Sequence, residues 1–253
     1  MKVTFKDINI LGDIIYEDDL VKHYHFQEML SRYDSNFIEF KKIPSVEEFQ
    51  QWEITLREFH RKKNQDHLKF KFPPDEQIRE PLMHYLKNAQ YNIGFLELYS
   101  IQPSQYQSQK NNTVIVQFVA ERQMEQFLSL QYHEDMKYGV NFAREKRQLQ
   151  LRRFNEQDTY FVIAYFEGIP AGYVELIEKE STVEIDNLFV LEDQRHKGIG
   201  GQIQQAVMDK FPNKTIILVA DGEDTAKNMY QKQGYKYQGF QFEVLKIEAI
   251  EAV

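Results

Sequence analysis

The sequence predicts an α/β chain, a mixed α+β sheet in two units: a smaller βαβαβ domain followed by a larger one. Three observations predict it. Strand-like and helix-like stretches alternate along the 253 residues. A polar segment rich in Gln and Ser, residues 102–112, separates two such series. Residues 215–220 are apolar at every position but the first, as an internal strand covered on both faces requires. The expected organisation is therefore a domain over 1–101, a linker over 102–112 and a second domain over 113–253.

In the first domain, residues 36–43 read as a strand. Ser45-Val46-Glu47-Glu48 is a capping box that opens a helix with Phe49, Trp52, Leu56 and Phe59 on one face. Residues 67–72 alternate strictly and predict a half-buried strand. Leu82, Tyr85, Leu86 and Ala89 mark a second helix that begins near Pro81, and residues 93–101 form a last strand.

The second domain begins with a strand at 114–119. A helix over 121–133 follows, with Met124, Phe127, Leu128 and Gln131 along one face, and then a helix over 142–154. The Arg- and Lys-rich run from Arg144 to Arg153 predicts a solvated face for this second helix. Residues 160–165 and 171–177 form a hairpin about Glu167-Gly168-Ile169-Pro170, and 182–190 is the next strand. After a polar, glycine-rich loop comes a helix with Ile199, Ile203, Ala206, Val207 and Phe211 on its stripe. The strand at 215–220 leads to a short helix that Asp224 can cap and Gly234 can end, and residues 235–247 form the final strand. The order β-α-β-α-β of the first domain repeats the order from 182 to 247. The first domain is therefore expected to be a shortened copy of the second. Its own β-to-α connection, Lys41-Lys42-Ile43-Pro44-Ser45, lacks glycine and is ill suited to wrapping a phosphate.

Composition narrows the function. Lys and Arg total 31 against 39 Asp and Glu, a net charge of −8, which disfavours nucleic acid as a partner. No run approaches the roughly 20 apolar residues that span a bilayer, and no apolar leader follows Met1. No membrane role and a cytoplasmic location are expected. The chain has no cysteine, which removes disulfides, thiolate-bound metals and a thiol nucleophile. His23 and His25 are the only close histidine pair and have no third ligand beside them in sequence, so no metal site is expected.

The loop Arg195-His196-Lys197-Gly198-Ile199-Gly200-Gly201 carries the chemistry. It lies between a strand and a helix. Helix N-termini leave backbone N–H groups without partners and carry partial positive charge, and glycines let the backbone approach an anion closely. The loop suits a pyrophosphate. The ending of a P-loop is absent, and Ile203 stands where a dinucleotide fingerprint requires its third glycine. The bland alternative is that Gly198 and Gly200 serve only the strand-to-helix turn.

The strand 184–190, the loop Gln194 to Gly200, and Asn228-Met229-Tyr230 followed by Gly234-Tyr235 resemble the GNAT N-acetyltransferase superfamily. Its signature Gln/Arg-x-x-Gly-x-Gly/Ala is met by Arg195, Gly198 and Gly200, and the element order agrees over roughly residues 113–247. The resemblance implies acetyl-CoA as acyl donor, its pyrophosphate on the amides of Arg195, His196, Lys197, Gly198, Ile199, Gly200 and Gly201. It also implies a pantetheine arm along the edge of Leu188, Phe189 and Val190, where two strands splay apart, and an oxyanion donor from a backbone N–H near Val190. Tyr230 matches the family's general acid and Asn228 a cofactor contact. Glu184 sits where several members carry a carboxylate base, with Asp186 two residues on. Each has an ordinary alternative: Tyr230 as a packing residue, Glu184 as a solvated strand residue. His133-Glu134-Asp135 falls where the family usually builds its acceptor site, and its charge suits a cationic amine. The expected partner is a small-molecule or peptide amine, with a homodimer possible. Direct transfer in a ternary complex is the implied mechanism, and a CoA-binding sensor or scaffold that has lost turnover is the alternative function.

Overall fold

The computed structural model describes residues 2–107, 110–223 and 226–248, without the side chains of 226–228. The expected cap Asp224 lies outside the described residues. Strands β1 (Asp13–Glu17), β2 (Val21–His25) and β3 (Phe37–Phe40) precede helix α1 (Val46–Arg61), β4 (His67–Lys71), α2 (Glu80–Asn88) and β5 (Asn92–Ile101). There follow β6 (Val114–Phe118), α3 (Glu121–Asp135), α4 (Val140–Arg153), β7 (Thr159–Phe166), β8 (Ile169–Glu178) and β9 (Thr182–Val190). The chain ends in α5 (Ile199–Lys210), β10 (Thr215–Asp221), α6 (Ala226–Lys232) and β11 (Lys236–Ile247). Among the described residues no helix is long and apolar enough to cross a membrane.

The chain divides into two units. One comprises Met1–Asn9, Leu98–Val219 and Thr225–Gln238; the other comprises Ile10–Glu97, Ala220–Asp224 and Gly239–Val253. The segment expected as a linker therefore falls within the first of these units. Its lone aromatic explains why it packs there: Tyr106 is buried and bonded.

In the unit that holds the N-terminal half, the strand order is β1-β2-β3-β4-β11. Neighbours are antiparallel except β3 and β4, which run parallel with α1 as the crossover. Ser45 caps α1 as its sequence predicts: Glu48 N–H donates to Ser45 Oγ at 3.1 Å, and Ser45 N–H donates to Glu48 Oε2 at 2.8 Å. The buried stripe of α1 is Phe49, Glu53, Leu56 and His60, so Trp52 and Phe59 flank it rather than form it. Glu53 is tolerated inside because Arg57, Tyr85 and Tyr91 donate to its carboxylate at 2.9, 2.6 and 2.9 Å. β4 is buried on both faces, not one. Its inner position between β3 and β11 demands this, and Lys69 survives there by pairing with Asp34 and Glu243.

In the other unit the order is β5-β10-β9-β8-β7-β6. β6 to β9 are antiparallel neighbours, and β9 runs parallel to β10 with α5 as the crossover. Val3 from the N-terminal segment packs with Leu98 and Ile217. Met124, Phe127 and Leu128 of α3 pack on Phe161, Ile163 and Tyr173. The basic run in α4 is solvated only in part: Arg144 and Arg152 are exposed, but Lys146 and Arg153 are buried. Opposite charges reach them from neighbouring elements: Lys146 Nζ lies 3.0 Å from Asp135, and Arg153 donates to Glu175 of β8 at 3.2 Å. Burial of charge is tolerated when it is paired in this way.

Candidate functional site

The site is built on the step from β9 to α5. The parallel ladder between β9 and β10 runs from Thr182–Thr215 to Ile185–Leu218, with no pair beyond among the described residues. Leu188, Phe189 and Val190 thus continue past the last pair, held on the other side by β8, where Tyr173 faces Phe189 and Gly172 faces Val190. Between these pairs and Glu175–Asp186, β9 holds one extra residue. It is Asn187, at φ +50°, a β-bulge. Its Nδ2 donates to Glu175 Oε1 at 2.9 Å, and Gln131 of α3 donates to the same oxygen at 2.5 Å. Gly172 is needed beneath the bulged strand: a Cβ there would lie 2.7 Å from the Phe189 carbonyl oxygen and 3.3 Å from Ile203 and Val190.

After β9 a single 3₁₀ turn, Glu192–Gln194, leads into the loop. His196 and Gly198 both adopt positive φ, +64° and +78°. Gly198 is the N-cap of α5, and no side chain caps that helix. No acidic residue lies in its first turn. The amides of the first helical turn have no intrahelical acceptor by geometry, and among the described residues no side chain caps them. A Cβ built at Gly198 meets nothing closer than 3.9 Å, and one at Gly200 nothing closer than 3.8 Å. The glycines leave space on the protein's outer side, as the approach of a phosphate requires. Arg195, His196 and Lys197 are exposed around it. Arg195 Nε donates to the Val190 carbonyl at 3.4 Å, and Lys197 Nζ donates to Gln194 at 2.8 Å. The helix of the other unit that likewise follows its strand, α1, differs: its capping box uses those donors, and Glu47 and Glu48 sit in its first turn. An anion would be repelled there and attracted at α5.

The loop residues and the end of β9 are therefore brought together, with Arg195 reaching back to Val190. Glu184 stands near the start of β9, buried, where Oε2 accepts the backbone N–H of Asn9 at 2.7 Å. Asp186 is half-buried just before the bulge. Tyr230 of α6 is buried, with its ring 5.8 Å from that of Tyr99 and 5.5 Å from that of Tyr235. The side chain of Asn228 lies outside the described residues. Of the acidic triplet, Asp135 pairs with buried Lys146 and Glu134 with Lys137. Partial burial, and after it the repulsion of Lys146 and Arg195, lowers the Lys137 ammonium below its ordinary pKa.

Sequence reasoning missed Tyr106, Asn111, Gly172 and Asn187. Tyr106 donates to the Gly201 carbonyl at 3.1 Å and Asn111 Nδ2 to the Lys197 carbonyl at 2.8 Å. A lone tyrosine in a polar run was the available signal for the first. It also missed a histidine cluster in the other unit. His23, His25, His60 and His67 are all buried, and each has a ring nitrogen without a hydrogen-bond partner among the described residues. The chain approach that sets His60 and His67 rings 4.5 Å apart is invisible in sequence. No group of three such side chains among the described residues is arranged to hold a metal ion.

An antiparallel run of four strands, a fifth parallel to the last of them, and an uncapped glycine loop between those two define an acyltransferase-type fold. The chain belongs to the GNAT acetyltransferase family, whose domain signature matches residues 103–251. Residues 3–99 match a domain family of unknown function, DUF5613. A functionally unknown conserved protein from Staphylococcus epidermidis is 35% identical, covers 98% of this chain and 99% of its own, and superposes with a TM-score of 0.90. A GCN5-related N-acetyltransferase from Kribbella flavida is 13% identical over 93% of this chain and 90% of its own, with a TM-score of 0.62. A tandem GNAT protein from the clavulanic acid biosynthesis pathway is 9% identical over 85% of this chain and 76% of its own, with a TM-score of 0.54. No curated protein matches the chain.

Proposed function

We propose that this protein is an acetyl-CoA-dependent N-acetyltransferase that moves an acyl group directly to a primary amine. The observation that carries the reading is the N-terminus of α5: uncapped, free of acid, and opened by Gly198 and Gly200. The residues present fit a pyrophosphate, because they offer amides without offering a competing carboxylate. The amides of Gly198 to Gly201 and the side chain of Arg195 would hold it. Bound acetyl-CoA supplies an activated thioester.

The chain's own residues do the rest. Leu188 to Val190, past the last ladder pair, present a strand edge that can take an extended arm by strand addition. The backbone near Val190 supplies an N–H for developing negative charge. Tyr230 is the proposed proton donor to the leaving group. Glu184 and Asp186 are the proposed acceptors of the amine's proton, by way of water where the buried Glu184 is concerned. The chain has no cysteine, so no acyl-thioester enzyme forms. The unit holding the N-terminal half is proposed to be a non-catalytic GNAT-like copy. Its strand–helix–strand crossover β3-α1-β4 supports this, and the capping box on α1 gives the physical reason it would not bind CoA.

Calorimetry with CoA and thiol release against a panel of amines test the reading. Heat on titration together with thiol release on at least one amine is the expected result. Heat without release on any amine would favour the sensor, and no heat at ligand excess would remove the assignment.

A further inference from the structure

We propose that Tyr106, Asn111 and Gln204 are positioning residues of the 195–201 loop, which they hold by its carbonyl oxygens so that its amides face outward. The inference rests on the pyrophosphate reading and adds to it the residues that aim the turn. Three carbonyls of the loop are taken by side chains: Lys197 by Asn111 Nδ2 at 2.8 Å, Gly200 by Gln204 Nε2 at 3.3 Å and Gly201 by the Tyr106 hydroxyl at 3.1 Å. The peptide unit is planar, with its C=O and N–H pointing in opposite directions. Drawing the Lys197 carbonyl toward Asn111 therefore turns the Gly198 N–H away from it, and drawing in Gly200 does the same for Gly201.

Tyr106 and Gln204 are not independent of each other. The Tyr106 oxygen also accepts from Gln233 Nε2 at 3.1 Å. Gln233 Oε1 accepts from Gln204 Nε2 at 3.2 Å, and Tyr235 donates to Gln204 Oε1 at 2.8 Å. Gln204 is wholly buried and both ends of its amide are used. Gln233 directly follows α6, the helix that carries Tyr230. Next to it Gly234, at φ +95°, passes so close to the segment that a Cβ would lie 3.0 Å from the Gln105 carbonyl oxygen. One neutral network thus fixes the first turn of α5 and the end of α6 against Gln105 and Tyr106. An uncharged set suits this place, since a buried carboxylate beside the loop would oppose a diphosphate.

The test uses the whole chain. Tyr106→Phe removes one hydroxyl and keeps the ring; Asn111→Ala removes a half-exposed amide and spares the interior. Calorimetry with CoA is expected to show affinity reduced about three- to tenfold in each, as loss of one positioning hydrogen bond implies. Amide hydrogen exchange at 198–201 in the ligand-free protein is expected to quicken. Tyr160→Phe is the control: it deletes the 2.7 Å bond to Glu178 in the same unit and should leave CoA affinity within about twofold of wild type. A purely structural role would lower the melting temperature of all three variants alike without moving CoA affinity or loop exchange. That result, in a wild-type protein that binds CoA, overturns the positioning role and leaves the pyrophosphate reading intact. Absence of CoA binding by wild type overturns the reading, and the positioning role with it.

Discussion

Acidification should unfold this protein well before its carboxylates are titrated, because of the histidine cluster. Burial holds His23, His60 and His67 down at about 4, about 3 and about 4, with repulsion among the rings adding to it at His23 and His60. His25 is lowered as well, by burial and then by Lys63. The geometry gives the reason. His60 Nδ1 donates to the His67 carbonyl at 2.5 Å, His67 Nε2 to the Asn36 carbonyl at 2.9 Å and His25 Nδ1 to Asn36 Oδ1 at 2.9 Å. Each ring's other nitrogen has no hydrogen-bond acceptor among the described residues, although Asp66 stands 3.9 Å from His67 Nδ1. Asp13 near His25, and Asp34 with Lys69 near His67, are the remaining charges that face the cluster. The folded values lie below the unfolded value of about 6.5, so the unfolded chain binds more protons. The stability is fully present above about pH 6.5 and is lost as pH falls toward 4. At about pH 5 each of the three rings accounts for about 2 kcal/mol, or about 6 kcal/mol together, comparable with the whole stability of a typical domain. Denaturant unfolding at about pH 7.5, 6 and 5 measures this. A slope approaching 4 kcal/mol per pH unit near pH 5 is expected, reduced by about a third in His60→Gln. A flat stability between pH 7.5 and 5 would refute the argument.

Further outcomes follow from the site. Gly200→Asp places a carboxylate in open space at the N-terminus of α5; it should fold, and its heat with CoA in calorimetry should vanish. Gly172→Val should lower the melting temperature by several degrees, since its Cβ meets the Phe189 carbonyl at 2.7 Å, and circular dichroism melts would show it. Tyr230→Phe should lower the turnover of thiol release more than CoA affinity, and an unchanged rate would remove its role as acid. Glu175→Gln leaves the buried Arg153 with only its 3.5 Å pairing to Glu156 and should cost about 3 kcal/mol in urea unfolding, while adding Arg153→Met should restore part of it.

The elements from β3 onward were legible because their signals are local. A capping box, a glycine pair and an apolar stripe depend only on near neighbours in the chain, as at Ser45, Gly198 and along α3. What sequence did not reveal depends on partners far away. Lys146, Arg153 and Lys69 look solvated in a linear reading and are buried, because Asp135, Glu175, Asp34 and Glu243 meet them in three dimensions. Asn187 reads as one more strand residue, and only the offset between 173–189 and 175–186 exposes it as the bulge. The polar segment has the composition of a solvated connection, and what sequence does not show is the single hydroxyl and single amide that tie it to the candidate site. Among the site residues, the loop was legible and its supports were not.

Both units are stitched from three separate stretches of polypeptide, and each needs residues beyond position 224. During synthesis neither can be finished until residues beyond 224 have emerged, for the strand that lies beside β4 follows every other element named above. Quality control in the cell would therefore see an incomplete sheet until β11 emerges, and a gene cut at the polar segment should yield two insoluble fragments rather than two working halves.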